Sequence, residues 1–356
     1  MQLGVGVGNV DAALARRAEE LGCTHAWFVD SPNFADMAVT MTAGALATKK
    51  IMLGPGVAVP TTRSEYVMAN AMASLNRLAP GRIVYAVGTG FTARLGLGSR
   101  PLKLEQLRHH VEVVRGLMRG DTVEWDWEGR RRKVRLLNPD IGLVAVEPKI
   151  PVHISAFAPK AMALAAELGD GWHSFINGDH ASVCRAVHQF SEALVKAGRD
   201  PVGFPKVAWT LGCVLEEGEP ADSPRALAQA GPQAAAFLHG AADGTIPDLL
   251  PGNVREAVKE YRKIYDAFQP SDAKWLQNHC RHMIAVNSWD RQFLTPGLIE
   301  TTAFVGTAPA LARRLREMEH AGWTQLAILI PPGQEAAIED WARVRDMANS
   351  RAEFGS

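Results

Sequence analysis

The residues that could do chemistry in this chain gather at the ends of short β-rich runs. Asp30-Ser31-Pro32, Gly54-Pro55-Gly56-Val57-Ala58-Val59-Pro60, Gly88-Thr89-Gly90-Phe91, Ser155-Ala156-Phe157-Ala158-Pro159 and His173-Ser174-Phe175 each close such a run. Small residues dominate these ends. They let a flat ring lie against backbone, with amides available for a polar edge or a phosphate, which suits a bulky planar cofactor better than a lone substrate. Glycines also end strands for purely structural reasons, but five such loops together are harder to assign that way. Asp30 has two readings, the acid nearest the site or a cap of the loop before Phe34. Ser31 and Thr89 can hydrogen-bond a cofactor edge, yet unassisted hydroxyls are weak acids and bases.

Other motifs fail on spacing. Gly4-Val5-Gly6-Val7-Gly8-Asn9 places Asn9 where a dinucleotide fingerprint needs its third glycine, and no P-loop Gly-Lys-Ser/Thr follows. There is no Gly-x-Ser-x-Gly elbow and no His-Glu-x-x-His. His279-Cys280-Arg281-His282 sets two imidazoles one helical turn apart without a visible third ligand, so it reads as a histidine pair on a lid and no metal is expected. His109 and His110 are adjacent and face different sides of a helix.

The elements that must position these residues alternate strand and helix. Strand patterns fall at 3–7, 25–30, 51–59, 82–88, 152–156, 171–176, 206–215 and 325–330, with helical spacing between them and Ser64 as a cap for the third helix. Eight such units predict an α/β fold of the (β/α)8 TIM-barrel type, in which chemistry sits at the strand ends; a two-domain doubly wound protein is the rival. Two stretches break the rhythm and read as insertions into a single domain over 1–352. Residues 120–150 alternate as a β-hairpin with Glu128-Gly129 near its turn, and Arg130 to Lys133 face Glu124, Asp126 and Glu128 as cross-strand ion pairs. Residues 216–304 are mostly helical and carry Trp275, His279, His282, Trp289 and Phe293. Insertions that long are lids or subunit contacts, so a homodimer or higher homo-oligomer is expected.

Composition sets the outer limits. The 356 residues are 47% hydrophobic and 21% charged, enough apolar material for a large core. Thirty-eight Lys and Arg balance 38 Asp and Glu, which leaves no electrostatic footprint for nucleic acid or an anionic membrane and points to a small-molecule partner. No apolar run approaches the roughly 20 residues of a membrane span. Cys23, Cys184, Cys213 and Cys280 form no Cys-x-x-Cys pair, and the first residues lack a secretory pattern, so a reducing cytoplasm is expected. Glu353-Phe354-Gly355-Ser356 reads as a cloning scar.

Three segments carry a family resemblance: 51–63 (IMLGPGVAVPTTR), 79–90 (APGRIVYAVGTG), and 151–156 (PVHISA) continuing to 166–172 (AELGDGW). With them the chain resembles the bacterial luciferase-like oxidoreductases. It is most similar to the branch with methylenetetrahydromethanopterin reductase and the glucose-6-phosphate dehydrogenase that uses coenzyme F420. The resemblance implies a TIM barrel with a deazaflavin or flavin ring near the strand ends and a non-prolyl cis peptide in the third strand, here Gly56-Val57. It places Asp30 and Ser31 beside the reactive carbon, Gly56, Val57 and Ala58 behind the ring, and Thr89 and Gly90 in the fourth loop. Ala156, Phe157, Ala158, Ser174 and Phe175 then stand near the cofactor tail. Where the sugar-phosphate branch has a histidine and a glutamate, this chain has Ser31 and Phe91. The acid/base pair for alcohol oxidation is therefore missing, and Phe34 and Phe91 suggest an apolar substrate pocket. For the proton donor, His173, Asp36 and a lid residue such as His279 or His282 all stand. The implied activity is hydride transfer between coenzyme F420 and an apolar unsaturated or carbonyl-type substrate. The alternatives are an FMN-dependent monooxygenase using reduced flavin and O2, and a binding barrel that has lost its cofactor.

Overall fold

The computed structural model describes residues 1–245 and 252–350; the predicted scar at 353–356 lies outside them. The chain opens with β1 (Gln2–Val7), whose alternating glycines, continued to Gly8, fall on one face because strand side chains alternate. That face is the barrel interior. A Cβ on Gly4 would stand 2.8 Å from Gln325 Oε1, one on Gly6 would stand 2.8 Å from the Leu329 side chain, and one on Gly8 would enter the Phe34 ring. The glycine run that fails as a dinucleotide motif thus makes room for large interior side chains.

The other strands are β2 (His25–Phe28), β3 (Met52–Pro55), β4 (Tyr85–Val87), β5 (Val123–Trp127), β6 (Arg130–Val134), β7 (Val152–Ser155), β8 (Gly171–Phe175), β9 (Lys206–Thr210), β10 (Gly212–Leu215), β11 (Phe304–Thr307) and β12 (Gln325–Leu329). Eight of them form one parallel sheet in the order β3-β2-β1-β12-β9-β8-β7-β4. The ring closes between β3 and β4. Leu53 N–H donates to the Arg82 carbonyl at 2.7 Å, and Val84 N–H donates to the Leu53 carbonyl at 2.9 Å. With helices wrapped around it, this is the (β/α)8 TIM barrel that the strand count predicts. Trp27, Val84, Ala86, Val207, Trp209, Ala327 and Leu329 fill its interior, and a larger apolar layer lies between strands and helices.

Two caps fix the chain where it leaves the strand ends. Asp36 accepts from Ala38 and Val39 N–H at 2.9 and 3.2 Å at the start of helix Met37–Ala47. Ser64 accepts from Val67 N–H at 3.4 Å before helix Glu65–Leu78. β3 stops at Pro55, short of the predicted strand, and the Gly56-Val57 peptide is cis as the resemblance implies.

The hairpin of β5 and β6 turns at Glu128 (φ 53°) and Gly129 (φ 71°), the left-handed pair that a two-residue turn requires. Asp126 opposes Arg131 and pairs with it at 3.3 Å. Its Trp125 reaches back to the barrel, donating to Glu65 Oε2 at 3.0 Å.

The predicted seventh strand is two strands. β9 stays in the barrel, while β10 leaves it and pairs in parallel with β11, which begins at the last residue of the predicted insertion. A fully buried glutamine causes the break. Gln233 Oε1 accepts from Leu211 N–H, and from Thr210 Oγ1 at 3.1 Å, capturing backbone that would otherwise continue the barrel ladder. Its Nε2 donates to the Ile176 carbonyl at 2.9 Å and to the Thr302 carbonyl. The helical insertion has its own apolar cluster around Ala234, Leu238, Tyr261, Leu298 and Ile299. Among the described residues no helix is long and apolar enough to cross a membrane.

Candidate active site

The C-terminal strand ends enclose a cavity of about 150 Å³. Asp30, Ser31, Phe34, Gly56, Val57, Thr89, Gly90, Phe91, Phe157 and Phe175 reach it, ten of the residues that the sequence singles out. A wider groove of about 770 Å³ lies at the opposite end of the barrel, beside Gln2, Gly22, Lys206 and Thr324. That is the face where barrels keep stability rather than chemistry.

Five expected site residues do not line the cavity, and strand parity explains three of them. Gly56 and Val57 meet the cavity, but Ala58 is fully buried in the layer outside the barrel, beside Val87. Ser155 and Phe175 face inward, so their neighbours Ala156 and Ser174 turn to the helix side. Ala158 lies past the strand as the exposed N-cap of helix Pro159–Leu168.

His173 points inward but lies too deep. The Trp209 indole can only donate, and it donates to His173 Nδ1 at 2.9 Å, so the ring proton sits on Nε2 and goes to His153 Nδ1 at 3.0 Å. Burial, then the neighbouring imidazoles, push its pKa well below the ordinary value. With both nitrogens committed in a sealed core, His173 supports Trp209 from beneath and does not line the cavity. Burial would raise the Asp36 carboxyl, but Arg63 and the capped amides outweigh it and hold it below the usual range. Asp36 is therefore an ionised cap. His279 and His282 are buried in the insertion and do not line the cavity.

Asp30 is the one ionisable side chain on the cavity wall among the described residues. It is already engaged. Oδ2 accepts from Val59 N–H at 2.8 Å and Oδ1 from Arg63 Nη1 at 2.9 Å, while Arg63 Nη2 also pairs with Asp36. The carboxylate borders the cavity, and its bonds go to Val59 and Arg63, so it ties the loop after β2 to the loop after β3 instead of capping the loop before Phe34.

Trp209, Leu329 and Met283 also line the wall. The strand-end rule could have found the first two, since Trp209 is the penultimate residue of β9 and Leu329 the last of β12. Met283 comes from the insertion, and no local pattern marks it. Gly56 is where the wall has least room, since a Cβ there would stand 2.6 Å from Trp209 Cη2 and 3.0 Å from Trp27 Cβ. Backbone must form this surface.

A family model described as luciferase-like monooxygenase matches residues 11–325. The chain belongs to the luciferase-like monooxygenase family. It is an oxidoreductase, as its relatives are. The 5,10-methylenetetrahydromethanopterin reductase of Archaeoglobus fulgidus is 29% identical over 328 residues, covering 89% of this luciferase-like chain and 88% of that protein. The coenzyme F420-dependent tetrahydromethanopterin reductase of Methanopyrus kandleri has the same fold, with a TM-score of 0.69 over 96% of this chain and 97% of that one at 21% identity. The oxygenating constituent of 3,6-diketocamphane monooxygenase from Pseudomonas putida, solved with FMN, gives a TM-score of 0.63 over 98% of each chain at 14% identity.

Proposed function

We propose that this luciferase-like enzyme transfers hydride between coenzyme F420 and an apolar substrate bearing a carbonyl or an activated double bond. One observation carries the reading: the cavity wall is backbone, aliphatic and aromatic surface, and the one carboxylate on it among the described residues is tied up by Val59 and Arg63. A wall so poor in free acids and bases orients a reaction whose electrons come from a bound group. Relatives named as methylenetetrahydromethanopterin reductases and F420-dependent dehydrogenases support F420 as that group.

The residues present fit a planar heteroaromatic ring. Backbone at Gly56, Gly88 and Gly90 offers a flat surface on which a Cβ would meet a neighbour, and the Thr89 and Ser31 hydroxyls offer hydrogen bonds to a polar edge. When bound, the reduced deazaflavin supplies the hydride. Phe34, Phe91, Phe157 and Phe175 exclude water and give an apolar substrate its contact surface. Asp30 holds the second and third loops in register so that Ser31 and Gly56 face one space. A hydroxyl, Ser31 or Thr89, relays the accompanying proton from solvent to the substrate, giving up one proton as it takes another, while the Asp30 oxygens stay engaged by Val59 N–H and Arg63.

The test is anaerobic turnover of reduced F420 with a panel of apolar ketones and enones. Consumption of the reduced cofactor with at least one panel member, and loss of that rate in Gly56→Ala, is expected. Substrate-dependent oxygen uptake with reduced FMN, and none of the anaerobic reaction, would replace this reading by the monooxygenase.

A further inference from the structure

Outside the cavity the insertion buries three imidazoles together. His239 lies on helix Gly231–Ala242, and His279 and His282 follow helix Trp275–Asn278; all three are buried. Their nitrogens converge. His239 Nδ1 stands 3.1 Å from His282 Nδ1, and His279 Nδ1 stands 3.3 Å from the same atom, with the candidate ligand atoms all within 4.8 Å of one another. In sequence the third ring lies about forty positions upstream of the His279 and His282 pair, on another helix.

The far side of two rings is fixed by carboxylates. His239 Nε2 meets Asp290 Oδ1 at 3.2 Å, and His279 Nε2 meets Asp243 Oδ2 at 3.0 Å. Each acid is itself held. Asp290 accepts from the Tyr261 hydroxyl at 3.0 Å and from Asn287 N–H and Nδ2 at 3.1 and 3.0 Å, and Asp243 accepts from the Thr245 hydroxyl at 2.6 Å. A carboxylate takes the Nε2 proton and leaves a lone pair on Nδ1, so in neutral rings His239 and His279 both aim lone pairs at His282. His282 Nδ1 carries at most one proton. One of the two N···N contacts then has no proton in it, and either a buried imidazolium or a cation must fill the gap.

We propose that His239, His279 and His282 bind a zinc ion through their Nδ1 atoms. Zinc–nitrogen bonds of 2.0–2.1 Å set a tetrahedral edge of about 3.3–3.4 Å, close to the two contacts seen, and the carboxylate–imidazole pairs are the outer partners such an ion uses. Three protein nitrogens leave the fourth corner to water or an added ligand. The ion joins the helix at 231–242 to the segment at 279–283. Met283 of that segment lines the cavity, and Asn33 Nδ2, from the loop after β2, donates to the His279 carbonyl at 3.1 Å. Zinc therefore braces the cavity wall that the insertion supplies.

The experiment uses the full chain, purified without a polyhistidine tag. Elemental analysis is expected to find close to one zinc per chain. Stripping with a chelator should lower Tm, and adding zinc back should raise it by about 5 °C, as expected for a ligand that binds only the folded state. Cobalt(II) added to stripped protein should give the visible bands of a tetrahedral nitrogen site, and His282→Asn should remove both zinc and bands. Zinc below about a tenth of an equivalent, with no Tm change on adding zinc or cobalt to wild-type protein, overturns the proposal in favour of a buried imidazolium. Stoichiometric zinc that survives His282→Asn overturns it too, because the ion then lies elsewhere.

Discussion

Arg63 Nη1 lies 2.9 Å from Asp30 Oδ1, joining the loop after β3 to the one ionisable side chain on the cavity wall among the described residues. The same guanidinium also pairs with Asp36, so one cation serves two carboxylates on two elements. Arg63→Met leaves both acids uncompensated, while Asp30→Asn leaves Arg63 with Asp36 and keeps an oxygen for Val59. Urea denaturation should therefore show Arg63→Met less stable by about 1–3 kcal/mol and Asp30→Asn by less. The reverse order would mean that Arg63 does not organise these loops.

The backbone wall gives a steric prediction with an internal control. A methyl on Gly56 meets Trp209 and Trp27 at 2.6 and 3.0 Å, whereas one on Gly88 meets Ser155 Cβ at 3.1 Å and Val57 Cγ2 at 3.2 Å. Gly56→Ala must push indoles packed in the barrel interior and should lose about 1–3 kcal/mol of stability together with tenfold or more in cofactor affinity. Gly88→Ala displaces small groups and should cost less on both measures. Equal losses would show that Trp209 yields freely.

Gln233 holds the insertion to the barrel at the point where β9 becomes β10. Gln233→Leu keeps the volume but orphans the Leu211 N–H and the Ile176 and Thr302 carbonyls. Thermal and chemical unfolding should register a loss of about 2–4 kcal/mol. A neutral substitution would indicate that water replaces the amide.

The parts of this molecule legible in the sequence are those encoded by local period. Eight strand patterns give the barrel, Glu128-Gly129 gives the hairpin turn, and Asp30, Ser31, Gly56, Thr89 and Phe91 stand at strand ends because the fold puts strand ends at the cavity. Local period does not decide what needs one residue of register or a distant partner. Ala58, Ala156 and Ser174 are one step out of phase with the inward face, and His173 has the right parity but the wrong depth. The strand break at Leu211 depends on Gln233, and the imidazole cluster depends on His239. Neither partner is near in sequence.

Acid should weaken the fold through the barrel core. Burial first, and then His25, push His153 down to about 3, and His173 lies well below its ordinary value as well. Unfolded histidines take up a proton near pH 6.5, so the unfolded chain binds more protons below that pH. The stability held above pH 6.5 is lost as pH falls toward 3, by up to about 1.4 kcal/mol per pH unit for each ring. Urea midpoints from pH 7 to pH 5 should fall accordingly, and His153→Asn, whose amide oxygen can stand in for Nδ1, should make the slope shallower. An unchanged slope would remove His153 from the acid limb.

A side-by-side binding titration with oxidised F420 and with FMN measures the enzyme's choice of cofactor most directly. Saturable F420 binding at about micromolar Kd, with FMN at least tenfold weaker, is predicted. Tight FMN binding with no response to F420 would contradict it.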